Sequence, residues 1–462
     1  MFRRAHVSKF ALIGLASMRL GVSWAAPGEH IVLGNDDKKT EIVPEVAAGV
    51  EFRSNSYLSV GAVQSNFQRD RVVPSANFLL RPKIRIDHTS AKVKFHLDGA
   101  YEFRKWFDPQ LAANLDRFTD FTVDTRLDVL PKGVVGFSIK ENAVIRNRES
   151  DNPYLGNSLL TQFRNDAGAV LTVRPGPDVD IQAGSDVAYH IYRVPGADSQ
   201  RQYNARTTIA PNLSVAWRFF PSTAFVVESN VDLNRWADNW VATNQQIPIV
   251  ESGLGAVRSY GDFLAKPDST LLKAQTGLRG RVTRNFVLTA LLGWGGGWYD
   301  VDSVAEESAS EPGISNEADP VAAGFGTNVN GADGLLVTLK TDLDFGYKAK
   351  RALGQALSFT FRKDFQDSFF TNYVAQNYLR VDLTSHWSRL VGSSVSASVR
   401  FESYVGEVER RDIVTRADLG LLITPVPWLG IDVGAGWAQR ASSQREIQYD
   451  NIMARTVLNF TY

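Results

Sequence analysis

Along most of the chain, apolar and polar residues alternate in long runs separated by short breaks. Residues 91–104 set Val93, Phe95, Leu97, Tyr101 and Phe103 against Lys92, Lys94, His96, Asp98, Glu102 and Arg104. Residues 335–348 set Leu335, Val337, Leu339, Leu343, Phe345 and Tyr347 against Lys340, Asp342, Asp344 and Lys348. Residues 376–388 oppose Leu379, Val381, Leu383 and Trp387 to Arg380, Asp382 and His386, and 394–402 oppose Val395, Ala397, Val399 and Phe401 to Ser394, Ser396, Ser398, Arg400 and Glu402. A strand points successive side chains to opposite faces, so a period of two predicts strands with one apolar and one polar face. Strands of soluble sandwiches and propellers run to about 5–6 residues. These runs are far longer, enough to cross a bilayer tilted, which takes about 9–11 residues. The polar faces carry charges of both signs at mid-run, which suits a wet lumen and not a sandwich core. Two positions break the pattern: Glu141 falls on the apolar side of 134–146, and Pro211 sits inside 203–219, where it predicts a bulge or bend.

The breaks alternate in length. Short ones at 88–90, 131–133, 175–178, 221–223, 283–285, 350–354, 390–392 and 424–427 carry the Gly, Pro, Asn, Asp or Ser of tight hairpin connections. Longer ones lie at 55–73, 108–115, 147–160, 194–202, 237–269, 301–332, 367–375, 407–410 and 441–448. Eight turns and nine loops predict about eighteen strands: an all-β, transmembrane, antiparallel up-and-down β-barrel over 41–462, with no plug domain. Aromatics at strand ends (Tyr57, Trp106, Phe107, Phe219, Phe220, Trp236, Trp294, Trp298, Tyr299, Trp387, Trp428, Trp437 and Tyr462) are expected to form interfacial girdles. The closing segment 449–462 is expected to pair with 41–54, turning Leu458, Phe460 and Tyr462 to lipid and Arg455, Asn459 and Thr461 to water.

Composition narrows the picture. Lys plus Arg and Asp plus Glu are 50 each, so nothing favours a nucleic-acid partner. The absence of cysteine excludes disulfides, thiolate metal sites and cysteine nucleophiles. No apolar run after the N-terminus is long enough for a membrane helix. Arg3, Arg4, His6 and Lys9 precede the apolar stretch from Phe10 to Val22, and Ser23-Trp-Ala25 supplies small residues for cleavage, so 1–25 is expected to be a signal peptide, with 26–40 a short periplasmic segment.

The candidate chemistry lies in the lumen and loops. The polar-face charges expected to line a pore are Lys92, Lys94, Asp120, Asp124, Arg126, Lys140, Arg164, Asp186, Arg206, Arg218, Lys273, Arg279, Arg281, Lys340, Asp342, Arg380, Asp382, Arg400, Arg416, Asp418 and Arg455. Rings of such charges set selectivity. The basic excess points to an anionic or neutral, sugar-like solute, and the alternative is that Arg and acid pair merely to stiffen the wall. Residues 300–333 are acidic without Lys or Arg, but no calcium-loop spacing occurs, so no metal or cofactor is expected. The long stretch 237–269, with Trp240, Tyr260 and Phe263, is the candidate to fold inward as a constriction. Enzymatic activity is not expected. His386 with Asp382 and Ser385, and His190 with Asp186, are sequence neighbours that cannot converge as a triad, because residues four apart on a strand lie about 13 Å apart.

With its N-terminal leader, the opening strand Glu41–Asn55 running on to Tyr57, the alternating turn and loop lengths and the terminal Phe460-Thr-Tyr462, the chain resembles bacterial outer-membrane β-barrel porins without a plug. The resemblance spans the expected mature chain. It implies an integral protein of the Gram-negative outer membrane, in contact with lipid and lipopolysaccharide, whose last residues Leu458, Phe460 and Tyr462 are read by the barrel-assembly machinery. Some barrels of this build resemble exopolysaccharide-export porins. The expected function is therefore a channel for an exported polysaccharide, served by a periplasmic export partner, with a small-solute diffusion porin as the alternative.

Overall fold

The computed structural model of the chain describes residues 31–35, 38–55, 74–108, 120–149, 159–193, 202–236, 268–299, 333–344, 354–367, 373–388, 390–405, 410–443 and 448–461. The expected signal peptide, the stretch 237–269 except its last two residues, the acidic stretch except Asp333, Tyr57, Tyr347, Lys348 and Tyr462 lie outside these residues.

Among the described residues there are nineteen strands: β1 (Ile31–Asn35), β2 (Lys38–Arg53), β3 (Ser75–Ser90), β4 (Val93–Trp106), β5 (Asp120–Val129), β6 (Val135–Glu149), β7 (Leu159–Gly176), β8 (Val179–Arg193), β9 (Gln202–Phe220), β10 (Thr223–Trp236), β11 (Ser269–Thr283), β12 (Phe286–Tyr299), β13 (Asp333–Asp344), β14 (Gly354–Asp367), β15 (Tyr373–His386), β16 (Val391–Val405), β17 (Arg410–Val426), β18 (Leu429–Ser442) and β19 (Tyr449–Thr461). From β2 to β19 each strand pairs antiparallel with the next, and β19 pairs back onto β2 from Met453↔Arg53 to Thr461↔Glu45. Eighteen strands thus close an up-and-down barrel, which leaves no wall strand with an open edge. The short β1 pairs with Lys38–Ile42 of β2, on the side where β19 runs out, and so extends the wall below the seam. β2 itself starts at Lys38, so residues 31–35 and 38–40 of the segment expected to precede the barrel are sheet.

Alternation sets the two faces. Phe137, Trp217, Leu278, Leu292, Phe401, Leu419 and Leu458 stand exposed on the outside, and beside four of them Arg218, Arg279, Arg400 and Asp418 turn inward. An exposed apolar exterior of this extent is a surface solvated by lipid. Phe460 stacks on Trp428 at the turn end of the seam, with ring centroids 6.5 Å apart. Phe219, Phe220, Trp294, Trp298, Trp387 and Trp428 also face outward, as girdle residues do.

Three aromatics expected in the girdles do not belong to it. Trp106, Trp236 and Tyr299 are 5–7 % exposed and lie inside the barrel near the loop end. Each occupies the inward parity of its strand, Trp106 in line with Lys94 and Arg104. Arg53 sits over Trp106 at 5.9 Å and Arg206 over Trp236 at 5.5 Å, so these rings accompany cations in the lumen.

The bulge expected at Pro211 is also absent. The β9–β10 register is the same on both sides of it (Asn230↔Asn212, Leu233↔Ile209); only the intervening pairs are missing. Proline has no N–H to give the ladder, and the fold absorbs this as lost pairs without an inserted residue. The register shifts lie instead at strand ends, such as Thr223/Ala224.

Glu141 does face outward. It pairs with Thr125 on one side and Ala167 on the other, well inside β6, and has no hydrogen-bond or ion-pair partner among the described residues. An acidic side chain on the lipid face destabilises a barrel, by less than the roughly 2–4 kcal/mol of a basic one. Glu141→Leu should therefore raise the unfolding free energy by about 1 kcal/mol, read from the urea midpoint of the barrel in lipid vesicles. A lowered midpoint would show that the carboxyl has a partner there.

Candidate functional site

The lumen is the site, and its wall chemistry follows from spacing. Residues i and i+2 share a face, so a basic residue two positions from an acid puts both charges side by side in the lumen. The arrangement recurs around the barrel: Glu51 with Arg53 (2.6 Å), Arg126 with Asp128 (3.0 Å), Lys340 with Asp342 (3.3 Å), Arg380 with Asp382 (2.7 Å), Arg400 with Glu402 (2.7 Å), Arg410 with Asp412 (3.0 Å), and Arg164 with Asp166. Bridges between strands add to it: Lys83–Asp98 at 2.8 Å, Arg104–Glu51 at 2.9 Å, Lys140–Asp186 at 2.9 Å, Arg279–Glu228 at 2.8 Å and Arg455–Asp432 at 3.4 Å. Arg218 pairs with Asp180 in the same way. The charges of the wall largely cancel one another locally.

Strand register places the sequence-derived candidates as follows. Lys94, Asp120, Asp124 and Arg126 share the inward face of β4 and β5. Lys140, Arg164 and Asp186 follow on β6 to β8, and Arg206 and Arg218 on β9. Lys273, Arg279 and Arg281 of β11 and Lys340 and Asp342 of β13 also point inward. Arg380 and Asp382, Arg400, Arg416 and Asp418, and Arg455 complete the set on β15, β16, β17 and β19. Lys92 lies in the turn between β3 and β4, outside the strand wall.

Near the loop end the wall is not a plain cylinder. Pairing of β13 with β14 stops at Val337↔Lys363, while β14 and β15 stay paired to Asp367↔Tyr373. Beyond Lys363, β14 leaves β13 and leans across the inner face of β12 to touch β11. Phe365 packs there with Leu271, Tyr299 and Leu336, all under 8 % exposed, and Tyr373 stacks on Tyr299 with centroids 6.3 Å apart. β12 accommodates this through its sequence, GWGGGWY, which puts glycine at the inward positions 293, 295 and 297 and tryptophan outside at 294 and 298. A Cβ at Gly295 would stand 2.6 Å from the Phe365 ring. The glycine is what lets the β14 end lie inside.

Polar contacts hold it down. Lys273 bridges Asp364 at 2.9 Å, and Arg206, on the far side of β10 and β11, reaches Asp367 at 3.3 Å. Ser269 donates its hydroxyl to Asp367 at 3.1 Å, Asn234 donates to Ser269 at 3.1 Å, and Thr208 donates to Asn234 at 2.7 Å. Arg206 also contacts His190 Nδ1 at 3.2 Å, and His190 Nε2 lies 3.7 Å from Asp166. His190 is thereby tied into this brace and not beside Asp186 in a catalytic pairing. The inward element found here is thus the end of the β14–β15 hairpin. Asp364, Phe365, Asp367 and Gly295 were absent from the sequence-derived set, and the glycine alternation in β12 was the one local signal for them.

Wall and lumen together define a transmembrane β-barrel with the build of a porin. The sequence matches no family model and no curated protein. Among solved structures the barrel is similar to the outer membrane protein OpdK of Pseudomonas aeruginosa, at 13 % identity and a TM-score of 0.40 over 92 % of this chain and 99 % of that one. It is similar to a BenF-like porin from Pseudomonas fluorescens Pf-5, at 10 % identity and 0.43 over 92 % and 98 %. A third is Pseudomonas aeruginosa OccK2 (OpdF), solved in complex with glucuronate, at 11 % identity and 0.41 over 92 % and 98 %. The class is carried by this chain's own strand pairing and faces.

Proposed function

We propose that the protein is a passive outer-membrane channel for small hydrophilic solutes, with little selection by charge. One observation carries the reading: the lumen of an eighteen-stranded barrel, a size that leaves an aqueous channel, is lined by acids and bases that neutralise one another in place. A strongly ion-selective pore needs rings of one uncompensated sign. Here Arg380 and Asp382, or Lys140 and Asp186, present a local dipole with no net charge. The inward β14 end narrows the lumen further and sets a size limit. Export of a polysaccharide, expected from resemblance, finds no support in the structure, and the diffusion-channel alternative is the better reading. The pore-lining role of the inward charges is part of this proposal.

Purified barrel inserted in planar bilayers should conduct. In a tenfold KCl gradient its reversal potential should lie close to zero, far from the roughly 59 mV of an ideally selective pore at 25 °C. A reversal potential near that limit, of either sign, would show that unpaired charges control the lumen. Failure to conduct at any voltage would end the channel reading.

A further inference from the structure

A recess of about 510 Å³ opens in the lumen wall just below the inward β14 end, within the range of roughly 300–1,000 Å³ typical of small-molecule sites. β9, β10, β11, β13 and β14 all contribute to it. Of the charged residues in its lining, Lys363 shares the outward parity of its register partner Val337, and the other four are engaged. Lys273 is 2.9 Å and Arg362 3.8 Å from Asp364, and Glu228 is held by Arg279 at 2.8 Å. Arg279 and Asp232, the latter accepting from Asn230 at 2.8 Å, lie outside the lining and bring the inward-facing charges to three acids and three bases. What the recess offers a solute is neutral: the amides of Asn212, Asn230 and Gln275 and the hydroxyls of Ser214 and Thr338, beside the apolar Leu336. Gln275 and Thr338 hold each other only by long contacts of 3.3 and 3.4 Å, easily exchanged for a solute.

Amides and hydroxyls both donate and accept, so their complement is a solute whose groups also do both. A carboxylate solute would have to draw Lys273 or Arg362 from Asp364, and an amine would have to draw Glu228 from Arg279, leaving a charge less well compensated in each case. A hydroxyl solute draws no charge from its partner. We infer that the recess is a binding site for an uncharged, hydroxyl-rich solute of mono- to disaccharide size. The inference rests on the channel reading, since the solute would reach the recess along the lumen.

The test uses maltose as probe, with glutamate and lysine as charged comparators. Maltose added to the barrel in planar bilayers should interrupt the current in a saturable way, and the charged comparators should not at equal concentration. Gln275→Leu combined with Thr338→Val removes two of the hydrogen-bonding groups and keeps similar volume. It should weaken the maltose block about tenfold or more, at roughly one hydrogen bond per group, with sugar-free conductance unchanged. Calorimetry of maltose binding to the detergent-solubilised barrel gives a second readout that needs no conduction. Maltose binding lost in the double variant, in a barrel that does not conduct, would support the site and sink the channel reading. A conducting barrel with no maltose block, a block indifferent to the substitutions, or equal block by glutamate would overturn the site and leave the channel.

Discussion

Asp367→Ala should open the channel. Its side chain is 3 % exposed and that of Arg206 18 %, and the pair links the β14 end to β9, beyond β10 and β11. Removing one partner of a buried pair costs about 3 kcal/mol, because the other charge is left without compensation. If that cost falls on the seated hairpin alone, the ratio of seated to displaced forms falls about a hundredfold. The expected record in planar bilayers is a larger and noisier single-channel conductance than wild type. Arg206→Ala with Asp367→Ala should recover part of the loss, since neither charge is then stranded. Conductance and noise identical to wild type in both variants would show that the β14 end does not limit the pore. Gly295→Val attacks the same element from below, by placing side-chain atoms where the Phe365 ring lies.

Gly49→Val should prevent closure of the barrel. Gly49 faces the lumen opposite Val457, in the seam where the first wall strand meets the last. A Cβ there would lie 2.3 Å from the Thr456 carbonyl oxygen and 2.9 Å from Val457 Cα, both backbone atoms. No rotamer relieves such a contact, so the strands must part at the place where closure completes the ladder. The expected result is near-complete loss of the compact, heat-modifiable band on unheated gels and of protein in the outer membrane. Gly430→Ala in the closing hairpin is the control: its nearest neighbours, Leu422 and Asn459 side chains, would lie at 3.6 and 3.7 Å, ordinary contact. A normally assembled Gly49→Val barrel would show that the seam is wider than drawn.

The sequence by itself determined the strand number, the closure of β19 on β2 and the face of most residues, because each depends on alternation and break length, which are local. Leu458 and Phe460 could be assigned to lipid and Arg455 to water by parity alone. Parity would also have moved Trp106 and Trp236 inside; strand-end position suggested the girdle and outweighed the count. The i, i+2 pairing of Arg380 with Asp382 or Arg400 with Glu402 was likewise legible as spacing, but whether such charges cancel or project depends on rotamers and on neighbours across the wall. Only the tertiary structure decided what narrows the lumen. Arg206 and Asp367 are 161 residues apart, and Phe365 meets Gly295 only because β14 abandons β13 and crosses β12. A strand's departure from its own wall is set by what packs on the inner face of another; the glycine alternation of β12 marks the room for it, and nothing local says which strand fills it. The alternation that built the barrel fixes which residues face the pore. Contacts between strands that are not neighbours fix how much of the pore is left.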